Sequence, residues 1–259
     1  MTFFYPLAAN PQFLQSKTLI VPVVSVANVS QLAADLLIAT LDLQQIGVFD
    51  ARDLIPVVGA RENGENGITT PLELYGKEHL DFVVIQQRSP ALKARKESFI
   101  TSIMEFAKEF KFGAVLLVSG VDLSNRTDAQ MHTPTYAIIP HGSPSLDSTA
   151  LSGIKDLPIY TSPTTQASQA LPTPSTDVPF IPGGGLSRRF LSSLPTQWSI
   201  PSACILQFVM EGDNRADAAL LADAISRTLK INEKVAEWRQ PKSWREGLFG
   251  TPHDQTLFG

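Results

Sequence analysis

Thr18-Leu19-Ile20-Val21-Pro22-Val23-Val24-Ser25-Val26 (TLIVPVVSV) is rich in β-branched residues and apolar almost throughout. It lacks the polar alternation of a half-exposed strand, so it reads as a strand covered on both faces, as in the middle of a parallel sheet. A helix follows at once. Val29, Leu32, Ala33, Leu36, Leu37 and Leu41 recur at helical spacing, and Asn28 with Gln31 suggests a capping box. Gly47 is read as closing that helix and Ile46 to Asp50 as a second, short strand. Strand, helix and strand in direct succession are the rhythm of an α/β sheet.

Working outward, Leu54 to Val58, Leu72 to Tyr75 and Phe82 to Arg88 are expected to be strands, with Arg61 to Thr70 (RENGENGITT) as a polar hairpin or loop between them. A second amphipathic helix is expected over Lys96 to Phe112, with Phe99, Ile103, Phe106, Ala107 and Phe110 on one face and Gly113 as its C-cap. Ala114 to Val121 and Ser202 to Val209 read as buried strands. A last helix runs from Arg215 to Lys230, with Asn214 and Asp217 at its start. Between them, residues 141–180 hold seven Ser, six Thr and six Pro with aperiodic apolar residues. That composition reads as a long, largely mobile insertion loop rather than a linker between domains. The chain is therefore expected to be a single α/β domain over 1–259, with that insertion and a C-terminal extension over 239–259.

With 259 residues and 28.2 kDa, the chain is long enough to need no disulfide or metal to hold a core. Its net charge of -4 and pI near 5.6 argue against phosphate-driven nucleic-acid binding. The one cysteine, Cys204, lies in an apolar run and reads as a small buried hydrophobe. The opening Met1 to Ala9 has no basic flank or signal-type stretch, and no apolar run is long enough to span a bilayer. A soluble intracellular protein is expected, with no membrane partner.

Candidate chemistry is sparse. His79, His132, His141 and His253 are scattered without ligand spacing, so no metal is expected. Val118-Ser119-Gly120 lacks the flanking glycines of a nucleophile elbow, with Leu117 and Val121 in their places. Ile181-Pro182-Gly183-Gly184-Gly185-Leu186 leaves two readings open: a phosphate cradle before a helix, or glycines that permit tight backbone packing. Glu211-Gly212-Asp213-Asn214 can be a carboxylate pair for acid/base work or a turn with an N-cap. The final Leu257-Phe258-Gly259 is apolar where tails are normally polar. It suits a pocket that captures a C-terminus, or it folds back on its own domain.

Taken in order, Val23-Val24-Ser25-Val26-Ala27-Asn28-Val29, Ile181-Pro182-Gly183-Gly184-Gly185, Phe208-Val209-Met210-Glu211-Gly212-Asp213-Asn214 and Pro241-Lys242-Ser243-Trp244-Arg245 with Leu248-Phe249-Gly250 resemble the proteasome assembly chaperone 2 family. The resemblance implies a three-layer α/β/α sandwich similar to nucleoside phosphorylases, with a mostly parallel central sheet and without the phosphorylase active site. It implies no chemistry and no cofactor. It also implies a heterodimer with proteasome assembly chaperone 1, in the cytoplasm and also the nucleus. That heterodimer sits on 20S proteasome α-subunits, promotes α-ring formation and hinders premature ring dimerisation. Partner tails in the family end in a hydrophobic–aromatic–any motif, which Leu257, Phe258 and Gly259 fit with Phe in place of the usual Tyr. The lost hydroxyl removes one hydrogen bond, about 0.5–1.5 kcal/mol net. The opposing class is a nucleoside phosphorylase-like enzyme or a phosphate- or nucleoside-binding protein using the triple glycine.

Overall fold

The computed structural model describes residues 2–7, 11–62, 66–162, 178–195 and 197–246. Among these, eight strands form one sheet in the order β1-β3-β6-β7-β2-β8-β10-β9. They are β1 (Phe4–Pro6), β2 (Thr18–Pro22), β3 (Gln44–Phe49), β6 (Leu72–Gly76), β7 (Phe82–Gln87), β8 (Ala114–Asp122), β9 (Thr135–Ile138) and β10 (Ser202–Val209). A separate two-stranded hairpin pairs β4 (Gly59–Ala60) with β5 (Ile68–Thr69). The four central strands β7, β2, β8 and β10 run parallel. The flanking pairs are antiparallel, so β3 points with the central four while β1, β6 and β9 oppose them. The sheet is mixed and mostly parallel.

Side chains of the central strands alternate between two buried layers. Leu19, Val21, Val115, Leu117, Cys204 and Leu206 face one core, with α2 (Lys96–Glu109) and α3 (Ser187–Ser192) above it. Ile20, Leu116, Val118, Ala203 and Ile205 face the other, under α1 (Val29–Leu41) and α4 (Arg215–Thr228). The first core is aromatic. The Phe106 ring lies 4.9–5.4 Å from those of Phe4, Phe49, Phe110 and Phe112. Helices thus cover both faces of the sheet. This is the α/β/α layering that the largely apolar β2, β8 and β10 demand, because strands apolar on both faces have no polar face to offer water.

Several local expectations are corrected. α1 ends at Leu41 with Asp42 in the left-handed conformation, not at Gly47. Gly47 lies inside β3, where a Cβ would meet the Phe4 ring at 2.2 Å. The capping box does not form, since the Gln31 amide donates to the Pro22 carbonyl at 3.2 Å instead. Residues 54–58 make no strand; Leu54 forms only an isolated bridge with Ala91. α2 stops at Glu109, and the left-handed residue behind it is Lys111 (φ 52°). Gly113 is small because the Ser16 carbonyl would lie 2.4 Å from a Cβ there.

The 141–180 stretch departs from the loop expectation over residues 141–162. Leu146, Leu151 and Ile154 are buried in the α4 layer, and Tyr160 is buried in the aromatic layer. A 3-10 turn over Ser152–Asp156 carries Ile154 inward, so these side chains pack one by one and leave no helical or strand period to read. Residues 163–177 lie outside the described residues. Cutting Phe106 to Ala should cost about 3–5 kcal/mol, read as a lowered urea midpoint. An unchanged midpoint would show that the ring cluster is not the hub of this layer.

Candidate functional site

Three of the singled-out segments meet at the carboxyl ends of β2, β8 and β10. β2 hands over to α1 through Ala27 and Asn28, consecutive non-glycine residues at φ 57° and 49°. Left-handed backbone of this kind costs of order 1–3 kcal/mol per residue and persists only when its surroundings enforce it. Here the Ala27 N–H donates to Glu211 Oε1 at 2.9 Å, and the Val26 N–H donates to the Gly183 carbonyl at 2.8 Å. Ser25 Oγ accepts from the Gly120 N–H at 2.8 Å. The Asp122 N–H donates to the Pro182 carbonyl at 2.9 Å.

These contacts decide between the readings left open. The triple glycine is a packing device. Gly185 adopts φ 58°, and a Cβ there would stand 1.9 Å from the Val24 carbonyl oxygen. Ser119 is fully buried and its hydroxyl is spent on the carbonyls of Gly120 and Gly184, each at 3.2 Å. Glu211 and Asp213 do not act as a pair. Glu211 holds the β2–α1 turn, while Asp213 bonds Arg215, whose guanidinium lowers its carboxyl pKa. Asn214 precedes α4 without a side-chain cap and donates instead to the Gly212 carbonyl at 2.7 Å. Cys204 is fully buried, which pushes its thiol pKa up.

A polar crevice that periodicity did not reveal opens beside this junction. One cavity of about 350 Å³ lies between the start of α1 and the end of β7, lined by Asn28, Gln31, Asp35, Gln86 and Arg88 among others. A second of about 390 Å³ runs along α1 toward Tyr75 and Arg239, and the two share Asp35 and Arg88. Asp35 Oδ1 accepts from Gln86 Nε2 at 2.5 Å, and Arg88 Nη1 stands 4.0 Å away. Burial lifts the Asp35 carboxyl to about 6, against the lowering pull of Arg88 and Gln86. Gln86 is 1% exposed and its Oε1 has no partner among the described residues.

Behind Arg88 lies the fully buried Glu73. It accepts from the Tyr75 hydroxyl at 2.7 Å, the Thr70 N–H at 2.9 Å and Gln45 Nε2 at 3.0 Å, with Arg61 at 3.3 Å. Burial, and then Glu73, push the Tyr75 phenol up to about 12. The only sequence signal for this network is a charge where a buried face should be apolar: Asp35 between Ala34 and Leu36, and Glu73 inside Leu72–Gly76.

The fourth segment sits elsewhere. Trp244 is 4% exposed and packs into the layer formed by α1 and α4. Trp238 Nε1 donates to Asp223 Oδ1 at 2.8 Å, Arg239 Nη2 donates to the Ala39 carbonyl at 2.9 Å, and the Ser243 N–H donates to Glu62 Oε2 at 3.2 Å. The chain is thereby strapped across the C-terminal end of α1. The tail residues Leu257, Phe258 and Gly259 lie outside the described residues. An exposed apolar group surrounds the β4–β5 hairpin, with Val58 75%, Ile68 56% and Ile55 41% exposed. No helix among the described residues is long and apolar enough to cross a membrane.

Comparison with known proteins bears on the whole arrangement. The model of the PAC2 family matches residues 19–234. Proteasome assembly chaperone 2 of Xenopus tropicalis is 30% identical over 266 residues, covering 98% of this chain and 100% of the relative. The protein of the same name from Danio rerio is 32% identical over 260 residues, covering 96% and 97%. Among solved structures, Pyrococcus furiosus PbaA, an archaeal homolog of proteasome-assembly chaperone, superposes with a TM-score of 0.61 at 17% identity, over 88% of this chain and 87% of that one. That likeness shows the fold.

Two outcomes follow from the junction and the crevice. Gly185→Ala should destabilise the chain by more than about 2 kcal/mol in denaturant titration, since it adds both a clash and a strained φ. Asp35 has a folded-state pKa above its unfolded value, so the folded chain binds its proton more tightly and stability falls as pH rises between about 4 and 6. Asp35→Asn should remove that fall and stabilise the chain at pH 7 by on the order of 2–3 kcal/mol at most, read as a raised melting temperature. A variant with the same pH profile as the parent would refute the assignment.

Proposed function

The chain belongs to the PAC2 family, and from that premise we propose that it is a non-catalytic chaperone of 20S proteasome assembly. In this reading it acts as a heterodimer with proteasome assembly chaperone 1 on the α-subunits. There it promotes α-ring formation and hinders premature dimerisation of rings, in the cytoplasm and also the nucleus. The observation that carries the reading is end-to-end similarity to proteasome assembly chaperone 2 of Xenopus tropicalis, which leaves no large part of either chain unmatched.

Two physical features support it. The groups that would have served phosphate or nucleophilic chemistry are spent on the chain's own backbone: Ser119, Gly183 to Gly185 and Glu211. The exposed Val58, Ile68 and Ile55 give a protein partner an apolar surface to cover. The tail Leu257-Phe258-Gly259 is the proposed anchor on the α-ring. Leu257 and Phe258 fill an apolar pocket between α-subunits, and a terminal carboxylate meets a lysine there.

Tagged full-length protein recovered at low salt from a eukaryotic lysate should bring down one partner of similar size at equal stoichiometry, together with 20S α-subunits. Recovery as a well-behaved homo-oligomer without either would overturn the reading. Deleting residues 257–259 should weaken 20S binding and leave the heterodimer intact. Unchanged 20S affinity would remove the tail from the mechanism.

A further inference from the structure

Around the β4–β5 hairpin the chain presents an apolar patch with a basic flank. Every residue from Ile55 to Ala60 (Ile55-Pro56-Val57-Val58-Gly59-Ala60) is exposed, and none carries a polar side chain. An unbroken apolar run of that kind in water needs a functional reason. Ile68 adds to it from β5, where it pairs with Ala60 and is exposed while the next residue, Thr69, is buried. Leu92, 38% exposed, adds to it from the segment after β7. Backbone pairing holds that segment against residues 53–55. The Leu92 N–H donates to the Asp53 carbonyl at 2.8 Å, and the Ile55 N–H donates to the Pro90 carbonyl at 3.1 Å. The apolar side chains thus form one patch rather than scattered single ones.

The flank beside Leu92 is basic. Lys93, Arg95 and Lys96 follow in the turn that opens α2, and none has a carboxylate partner among the described residues. A helix start is where cations are least favourable, because the macrodipole is positive there. Unpaired cations in that place weaken α2, in a chain whose net charge is -4. The described carboxylates that adjoin these segments are already engaged. Asp50 bonds Arg52, and the buried Asp53 accepts from Ser98 Oγ at 2.8 Å. Glu62 accepts from the Ser243 N–H at 3.2 Å, and Glu97 bonds Arg189. The complementary acid must therefore come from another molecule. A second copy of the same face brings only engaged carboxylates and more cations, so a different chain suits the patch better.

We propose that this face docks a second, different protein through an apolar surface rimmed by Asp or Glu, and that this protein is the heterodimer partner. Val58, Ile68 and Ile55 form the buried centre, while Lys93, Arg95 and Lys96 meet the acidic rim. Apolar burial supplies affinity, and the cations set the encounter rate and the register. Docking also gives a reason for cations at a helix start, since their cost to α2 is offset when the rim arrives. The inference rests on the assembly reading and adds to it the place and the charge of the contact.

The test uses the full-length chain coexpressed with proteasome assembly chaperone 1. It carries the photo-crosslinker p-benzoylphenylalanine in place of Val58 or, as a control, of Met131, which is 59% exposed elsewhere. Irradiation should join the two different chains from position 58 and not from 131, and the joined partner peptide should hold Asp or Glu beside apolar residues. The triple variant Lys93→Glu, Arg95→Glu, Lys96→Glu should weaken the heterodimer by about tenfold or more at low salt and flatten its salt dependence. It should melt no lower than the parent, because acids suit a helix start, and this separates lost docking from lost folding. A heterodimer of undiminished affinity in the triple variant overturns the inference and leaves the assembly reading standing. So does a cross-link from position 58 to a second copy or to the chain's own tail, or from position 131 alone to the partner. Sedimentation of the chain with phosphatidylserine vesicles, abolished in the triple variant, would overturn it too by making the face a membrane contact. A parent chain that forms no heterodimer overturns both readings.

Discussion

The handover from β2 to α1 is the constraint on which the surrounding structure depends. Only six residues separate the strand from the helix, and the chain makes the turn by holding Ala27 and Asn28 in left-handed backbone. Neither residue is a glycine, so the strain must be offset by contacts drawn from distant parts of the chain. Glu211 supplies a carboxylate to the Ala27 N–H, and Gly183 supplies a carbonyl to the Val26 N–H. Ser25 secures Gly120 of β8. Gly185 is then required because the Val24 carbonyl occupies the space of a side chain. Three segments that look unrelated along the chain thus answer one local need.

The two faces of the sheet are built from different materials. Under α2 the core is aromatic: Phe106 meets Phe49 edge-on and meets Phe4, Phe110 and Phe112 at a tilt, none of them stacked face to face. On the α1 side the aliphatic core gives way, beyond Leu36 and Leu37, to the Asp35–Arg88–Glu73 network. Buried charges are costly unless paired and hydrogen-bonded. Glu73 meets that condition with donors from Tyr75, Thr70 and Gln45, whereas Asp35 meets it only in part and titrates upward. The chain therefore keeps a destabilising carboxylate beside an open crevice, an arrangement more typical of binding sites than of scaffolds.

Much of the fold was legible because its central strands are apolar on both faces and its long helices are amphipathic. β2, β8, β10 and α2 were placed within a few residues of their bounds. Gly47 and Gly113 were misread as helix terminators because a glycine at a helix end and a glycine under a crowding ring or carbonyl look alike along the chain. Leu146, Leu151 and Ile154 were missed because each is buried singly from irregular backbone, which leaves no period. The buried network was illegible for a related reason: Asp35 and Glu73 are ordinary acidic residues until folding brings Arg88, Gln86 and Tyr75 around them.

By itself the order of apolar and polar residues determined an α/β sheet with helices on both faces, since strands without a polar side must be covered twice. The ordered motifs from Val23 to Gly250 likewise carried the family resemblance. Only the tertiary structure decided what the motifs do. Whether three glycines cradle an anion or admit a carbonyl depends on what stands 1.9 Å from an absent Cβ. Whether a carboxylate is a cap, a surface charge or a desolvated acid depends on donors supplied by residues far away in the chain. Composition and spacing are local and survive in the unfolded chain; proximity and dielectric environment exist only after folding.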